Sequence, residues 1–266
     1  MTESTKHVAL ITGASSGIGS AYARHFAKQG HDLLLVARRL DHLETLADEI
    51  RANCAINVRT FHADLSSEGG CASVEACFAS GPPISVLVNN AGIGALGAFM
   101  ESDLLAITKL IALNITALTR LSYAALQHFR IHHSGTLINV ASIGALRALK
   151  NGATYGASKA YVLNLSRSLQ LEVEDLPIRI QVVMPGPVRT EFFTAAGADE
   201  SIFAAESFIS PESLVAAAMK GLELGELVTF PTLADAGQWD EVARLQTRLR
   251  ESAGRIGVPA ERYEKK

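Results

Sequence analysis

The chain has 266 residues, 48% hydrophobic and 19% charged, with a formal net charge of -3 and a pI near 6.2. That length buries a sizeable core in one domain spanning 1–266. The slightly acidic balance, with Arg38-Arg39 as the notable basic pair, excludes a nucleic-acid footprint.

The polar start, Met1 to His7, lacks the basic-then-apolar pattern of a secretion signal, and no uninterrupted apolar stretch reaches membrane-spanning length. The first predicted strand, 8–12, runs into Thr12-Gly13-Ala14-Ser15-Ser16-Gly17-Ile18-Gly19 and then a predicted helix over 17–29. Strand, glycine loop and helix in that order make a pyrophosphate site: glycines let backbone N–H groups approach phosphate, and the helix start adds its positive dipole end. Gly13 and Gly17 are separated by three residues, unlike the single residue of the more common dinucleotide fingerprint.

The second strand, 32–37, ends in Ala37-Arg38-Arg39, where NAD-selective sites place a carboxylate on the ribose hydroxyls. Two guanidinium groups attract a 2′-phosphate, so NADP(H) is favoured. Alternatively the arginines cap a surface strand, with Asp41 pairing to either. A helix over 40–52 follows, with Asp41 as a cap, then a strand at 57–61, Asp64-Leu65, and a helix at 67–79. Cys54, Cys71 and Cys77 form no C-x-x-C pair, which suits reduced thiols and a cytoplasmic location.

The strand at 85–89 leads into Asn89-Asn90-Ala91-Gly92. A long helix, 102–130 with Ser102 as a cap, carries Asn114; His132-His133 falls in a solvated turn, and no metal-ligand pattern appears. The strand at 135–140 ends just before Ser142, and a helix over 152–174 carries Tyr155-Gly156-Ala157-Ser158-Lys159. The four-residue spacing puts Tyr155 and Lys159 on one helix face, where an ammonium favours the phenolate. Tyr161 reads as a packing residue, and Ser158, Asn139 and Asn164 as ordinary polar groups. After a strand at 178–183, Pro185-Gly186-Pro187 opens a mobile, partly apolar flap over about 187–210. A helix at 211–223, a strand at 227–230 and a polar helix at about 237–252 complete the pattern, with disorder expected after Gly254.

Strands alternating with helices specify a parallel sheet with right-handed helical crossovers on both faces. Ligands then bind beyond the carboxyl ends of the strands, so the loops after residues 11, 36, 88, 140 and 183 line one crevice.

The glycine loop, the Asn-Asn-Ala-Gly segment and the Tyr-x-x-x-Lys pair, in this order, resemble the short-chain dehydrogenase/reductase family from about His7 to Thr190. The resemblance implies a single-domain, Rossmann-like doubly wound α/β fold and NADP(H)-dependent interconversion of a ketone or aldehyde and an alcohol. It implies Tyr155 as acid/base, Ser142 holding the substrate oxygen, and Lys159 tuning Tyr155 and binding ribose hydroxyls. Asn114 would anchor a water for proton exchange. It further implies that Asn90, Ala91 and Gly92 line the cofactor site, that Asp64-Leu65 meets adenine, and that the Pro185, Gly186, Val188 and Thr190 segment reaches the carboxamide.

The substrate pocket is expected from 94–99, 143–146 and the flap, mostly apolar residues that suit a hydrophobic carbonyl compound. The end of the chain looks more like the hydroxysteroid and acyl-thioester reductase relatives than the acyl-carrier-protein reductases. A homodimer or homotetramer through the helices 102–130 and 152–174 is expected. A catalytically silent NADP(H) sensor of the same fold is the alternative function; an epimerase or dehydratase fits poorly without a larger second substrate domain.

Overall fold

The computed structural model describes residues 7–197, 199–255 and 257–263. The polar segment 1–6, one flap residue (198) and the chain end 264–266 lie outside them. Strands β1 (Val8–Thr12), β2 (Asp32–Ala37), β3 (Val58–His62), β4 (Ile84–Asn89), β5 (Gly135–Val140), β6 (Ile178–Val183) and β7 (Val228–Thr229) form one sheet in the order β3-β2-β1-β4-β5-β6-β7. Every pairing is parallel. β1 and β4 are sheet neighbours but far apart in sequence, so the order reverses between them; the crevice opens at that switch point, beyond the carboxyl ends of the strands.

Buried strands of β-branched and leucine residues carry the sheet, and helices cover both faces. Against one face pack α1 (Gly17–Lys28), α2 (Leu40–Asn53) and α8 (Pro211–Glu223), with Tyr22, Phe26, Leu43, Leu46 and Leu214 in the core. Against the other pack α3 (Glu68–Ser80) and α5 (Leu118–His132), with Val74, Leu121 and Phe129 among the buried side chains. Helix α6 (Ala153–Glu172) lies along β6.

Several expectations are corrected. The helix expected over 102–130 starts as α4 (Leu104–Ile111), passes through a π-helical segment at Ala112–Ala117 and continues as α5. Asp103, not Ser102, caps it, accepting from the Leu105 N–H, while the Ser102 hydroxyl donates to Ala98 O. Arg39 is the N-cap residue of α2, and Asp41 lies in its first turn. By length and composition alone Leu104–His132 could cross a membrane, although Lys109 and Arg120 interrupt its apolar run; its buried residues Leu113, Ala117, Leu121 and Phe129 pack on the sheet. Two residues of β7 form where four were expected, and Pro231 just beyond supplies no N–H for a ladder.

Val188 bridges Ile209 and closes the base of the flap, which holds a short helix, α7 (Phe192–Ala195). The chain divides into two compact units, Met1–Thr232 and Leu233–Lys266. The second contains α9 (Gly237–Ala253) and, where disorder was expected, a 3-10 turn at Glu261–Tyr263.

Three histidines make the first unit acid-sensitive. His128 is buried, its Nδ1 2.8 Å from Phe78 O and its Nε2 accepting from Ile84 N–H at 3.1 Å, an arrangement that requires the neutral ring. Burial lowers the pKa of His25, His31 and His128, helped at His31 by His7 and His25 and opposed at His25 by Glu223. The unfolded rings then bind more protons than the native ones below about pH 6.5, so stability is full above that pH and falls as pH drops through it. Melting temperature is expected to fall between about pH 7.5 and about pH 5.5, less steeply in His128→Asn. A flat profile in the parent protein would contradict this.

Candidate active site

The glycine loop closes the first unit's crevice at the end of β1. Gly13 and Gly17 have φ of 65° and 56°, the left-handed region that glycine adopts without strain. Side chains would also not fit: a Cβ on Gly13 would lie 2.9 Å from Ala91 Cα, and one on Gly19 would overlap the Gly13 carbonyl oxygen. The loop is pinned from β4. Thr12 Oγ1 donates to Val88 O and accepts from the N–H groups of Asn90 and Ala91, each at 3.0 Å, while Asn90 Nδ2 donates to Thr12 O and Gly13 O. Ser16 is the N-cap residue of α1 and its side chain makes no cap bond, so the first-turn N–H groups are available to an anion. Ile18 packs on the core beneath. This cradle, which any Cβ would fill, fits a dinucleotide pyrophosphate.

Arg39 Nη2 donates to Ser16 Oγ at 2.7 Å and lies 3.3 Å from Ser15 Oγ, and Nη1 pairs with Glu191 Oε2 at 2.9 Å. The alternative pairing of Asp41 with Arg38 or Arg39 is absent among the described residues; the neighbour of Asp41 is His42, 3.8 Å away. Arg38 is exposed. Asp64 accepts from the Ser66 N–H and hydroxyl. Burial raises its pKa, but those bonds and the charges of Lys109 and Arg38 outweigh it and hold the carboxyl below its usual range. Leu65 is buried beside it. Thr190 abuts Gly17, with Cγ2 2.8 Å from where a Cβ would stand, and Pro185 O accepts from Ile143 N–H. A Cβ on Gly186 would touch Ile143 Cδ1 at 3.7 Å.

Ser142, Tyr155, Lys159 and Asn114 converge. Ser142 Oγ accepts from Gly144 N–H at 3.0 Å and hydrogen-bonds the Tyr155 hydroxyl. Lys159 Nζ is 5.8 Å from the Tyr155 ring centroid and donates to Val140 O at 3.0 Å. A Cβ on Gly92 would lie 3.3 Å from Asn114 Oδ1 and 3.5 Å from Lys159 Nζ, so Gly92 keeps open the gap these two flank. Asn114 sits in the π-helical segment, a feature that often re-aims residues at functional sites. Its amide accepts from Ile93 N–H and donates to Ile93 O, each at 3.0 Å, and reaches Ser158 Oγ at 3.2 Å.

The electrostatics differ from the expectation that Lys159 favours the phenolate. Burial pushes the Tyr155 hydroxyl above its ordinary pKa, and the Ser142 hydrogen bond only partly offsets this. Burial likewise lowers Lys159 to about 8. The ammonium is held by the Val140 carbonyl, while the phenol faces an aromatic wall in which the Phe192 ring lies 5.4 Å from the Tyr155 ring.

Ser158, read as an ordinary helix residue, is fully buried and bridges Tyr155 O to Asn114; the Asn114 link is not visible in sequence. Asn139 is structural, accepting from Asn89 and donating to Ser166. Tyr161, read as a packing residue, is 38% exposed, and its hydroxyl meets Thr119 Oγ1 on α5 at 2.9 Å. His132 ends α5 and His133 is its left-handed cap. Among the described residues no cluster of three metal-ligating side chains occurs.

The model of short chain dehydrogenases matches residues 7–201. A short-chain dehydrogenase from Sphingobium yanoikuyae, solved in complex with NADPH, is 38% identical with a TM-score of 0.91, covering 97% of this chain and 100% of that one. The bulky-bulky ketone specific alcohol dehydrogenase from Comamonas testosteroni is 36% identical with a TM-score of 0.87, over 98% and 99% of the two chains. A very-long-chain 3-oxoacyl-CoA reductase-like protein from Arabidopsis thaliana is 33% identical over 87% of this chain and 74% of its own length. The chain spans only about 60% of the length of the mammalian 17-beta-hydroxysteroid dehydrogenases type 3 it also matches.

Proposed function

The chain belongs to the short-chain dehydrogenase family, and from that membership we propose that this oxidoreductase interconverts a hydrophobic ketone or aldehyde and its alcohol with NADP(H). The observation that carries the reading is the convergence of Ser142, Tyr155 and Lys159 beside the glycine cradle. NADP(H) held on the glycine loop would supply the hydride for the carbonyl carbon. Tyr155, a phenol whose pKa burial raises further, donates its proton to the carbonyl oxygen, and takes one back in the oxidation direction. Ser142 gives that oxygen a second donor placed in advance of the developing charge. Lys159, near pKa 8, is mostly protonated at neutral pH and would hold the nicotinamide ribose hydroxyls. Asn114 holds the Gly92–Ile93 backbone and Ser158 in place around it and would anchor the water that exchanges the proton.

The pyrophosphate would lie on Gly13, Ser15, Ser16, Gly17, Ile18 and Gly19, the adenine beside Asp64 and Leu65, and the nicotinamide ribose between the segment Asn90, Ala91, Gly92 and Tyr155 with Lys159. The carboxamide would meet Pro185, Gly186, Val188 and Thr190, and the 2′-phosphate Arg38 and Arg39. NADPH is expected to outperform NADH in kcat/KM, with Arg39→Ala erasing on the order of 10- to 100-fold of that advantage, the range of a hydrogen bond to a charged group. NADH turnover equal to NADPH turnover would sink the phosphate reading.

The pocket is apolar. Phe192, Phe193, Phe203 and Phe208 form a chain of ring contacts, with centroids 5.4–5.9 Å apart, that ends on Tyr155, and a Cβ on Gly94 would stand 2.7 Å from Ala196 Cβ and 3.1 Å from the Phe192 ring. This wall, with the bulky-bulky ketone specificity of the Comamonas relative, supports bulky, apolar carbonyl substrates. A single catalytic domain, working in a reducing cytoplasm, suits its three free cysteines. Exposed Tyr123, Ile131 and Leu171 on α5 and α6 support a homodimer or homotetramer through these helices. Sedimentation should show the oligomer, and Tyr123→Glu should weaken it; a monomer alone would refute the assembly.

A further inference from the structure

Arg39 joins two parts of the site that the sequence keeps far apart. Its guanidinium touches the glycine loop at Ser15 and Ser16, and its Nη1 is 2.9 Å from Glu191 Oε2, 152 residues further on. Glu191 is the residue from which α7 starts. It is preceded by Thr190, whose methyl abuts Gly17, and followed by Phe192, whose ring leans on Tyr155. The carboxylate therefore ties the flap that walls the substrate pocket to the arginine beside the cofactor loop.

We propose that Glu191 and the 2′-phosphate of the adenosine ribose compete for Arg39, so that Glu191 limits affinity for the phosphorylated cofactor and holds the flap until that phosphate arrives. The proposal rests on the reading that Arg39 receives the phosphate. One guanidinium fork serves one anion well. A phosphate approaching Arg39 meets the Glu191 carboxylate already on it, and two like charges about 5 Å apart lower affinity by about fourfold even in water. The Arg39–Glu191 pair is itself weakly held: its side chains are 41% and 64% exposed, and exposed pairs contribute little. The phosphate carries more charge and gains Arg38 and the Ser15 and Ser16 hydroxyls that already touch Arg39. It displaces the carboxylate, α7 loses its tether, and Phe192 is freed to move off Tyr155.

The test uses the full chain with 2′,5′-ADP and 5′-ADP as probes, neither of which carries nicotinamide. Binding is measured by calorimetry at low and high salt for the parent and Glu191→Gln, together with hydrogen exchange of the amides at 190–197. Glu191→Gln is expected to tighten 2′,5′-ADP by about two- to fivefold, the range of an exposed ion pair, to leave 5′-ADP unchanged, and to lose the gain at high salt. In the parent, 2′,5′-ADP should speed exchange at 190–197; in Glu191→Gln that exchange should be fast without it. Unchanged or weaker 2′,5′-ADP binding in Glu191→Gln, or flap exchange indifferent to the probe, overturns the competition while leaving the phosphate site standing. A parent protein that binds both probes equally overturns the phosphate site and the competition together.

Discussion

Replacing Tyr155 with Phe is expected to lower kcat for carbonyl reduction by about 10²- to 10⁴-fold, the usual contribution of a positioned proton donor, with little change in NADPH affinity. The change removes one hydroxyl and leaves the ring against Phe192, so the wall of the pocket survives. Ser142 Oγ keeps its bond from Gly144 N–H, and Lys159 keeps Val140 O. What is lost is the proton for the carbonyl oxygen, a need that arises as hydride arrives. Single-turnover kinetics separate this from a binding defect: slow chemistry with normal cofactor affinity fits the assignment, whereas normal chemistry contradicts it.

Gly19→Ala is expected to reduce NADPH affinity by on the order of 10²-fold, the scale of losses that follow an ångström-sized misplacement. Alanine at a helix position normally stabilises by about 1 kcal/mol relative to glycine, but here sterics decide the sign. The new methyl would overlap the Gly13 carbonyl and stand 2.6 Å from Asn90 Nδ2, and both groups belong to the hydrogen-bonded lock between β1 and β4. The loop has to shift, and the phosphate cradle shifts with it. Gly69→Ala in α3 is the control, since nothing lies within 4 Å of its Cβ position. Fluorescence titration with NADPH reads both; retained affinity in Gly19→Ala would show that the loop does not hold the cofactor.

The sheet and its crevice were legible in the chain because strand and helix periodicities differ and because backbone needs show as residue types. Gly13 and Gly17 are glycine where φ is positive, and Tyr155 and Lys159 announce their shared face by a spacing of four. Other features left no local trace. One π-helical segment inserted in a long apolar helix does not disturb the run of residues around Asn114, and a serine in a helix usually bonds its own backbone, so the link from Ser158 to Asn114 was hidden. Helix spacing gives the distance between Lys159 and Tyr155 but not their burial, and burial reversed the sign of the phenol's shift. The Arg39–Glu191 pair joins residues with no periodic relation at all.

NADPH consumption by the purified protein across a graded set of ketones, aldehydes and oxoacyl thioesters tests the central claim most directly. The account predicts oxidation of NADPH, with alcohol formed in equal amount, for bulky apolar carbonyl compounds, and near-complete loss of that turnover in Tyr155→Phe. NADPH binding without consumption on any member of the set would contradict it and favour a nucleotide sensor, and turnover undiminished in Tyr155→Phe would contradict the assigned chemistry.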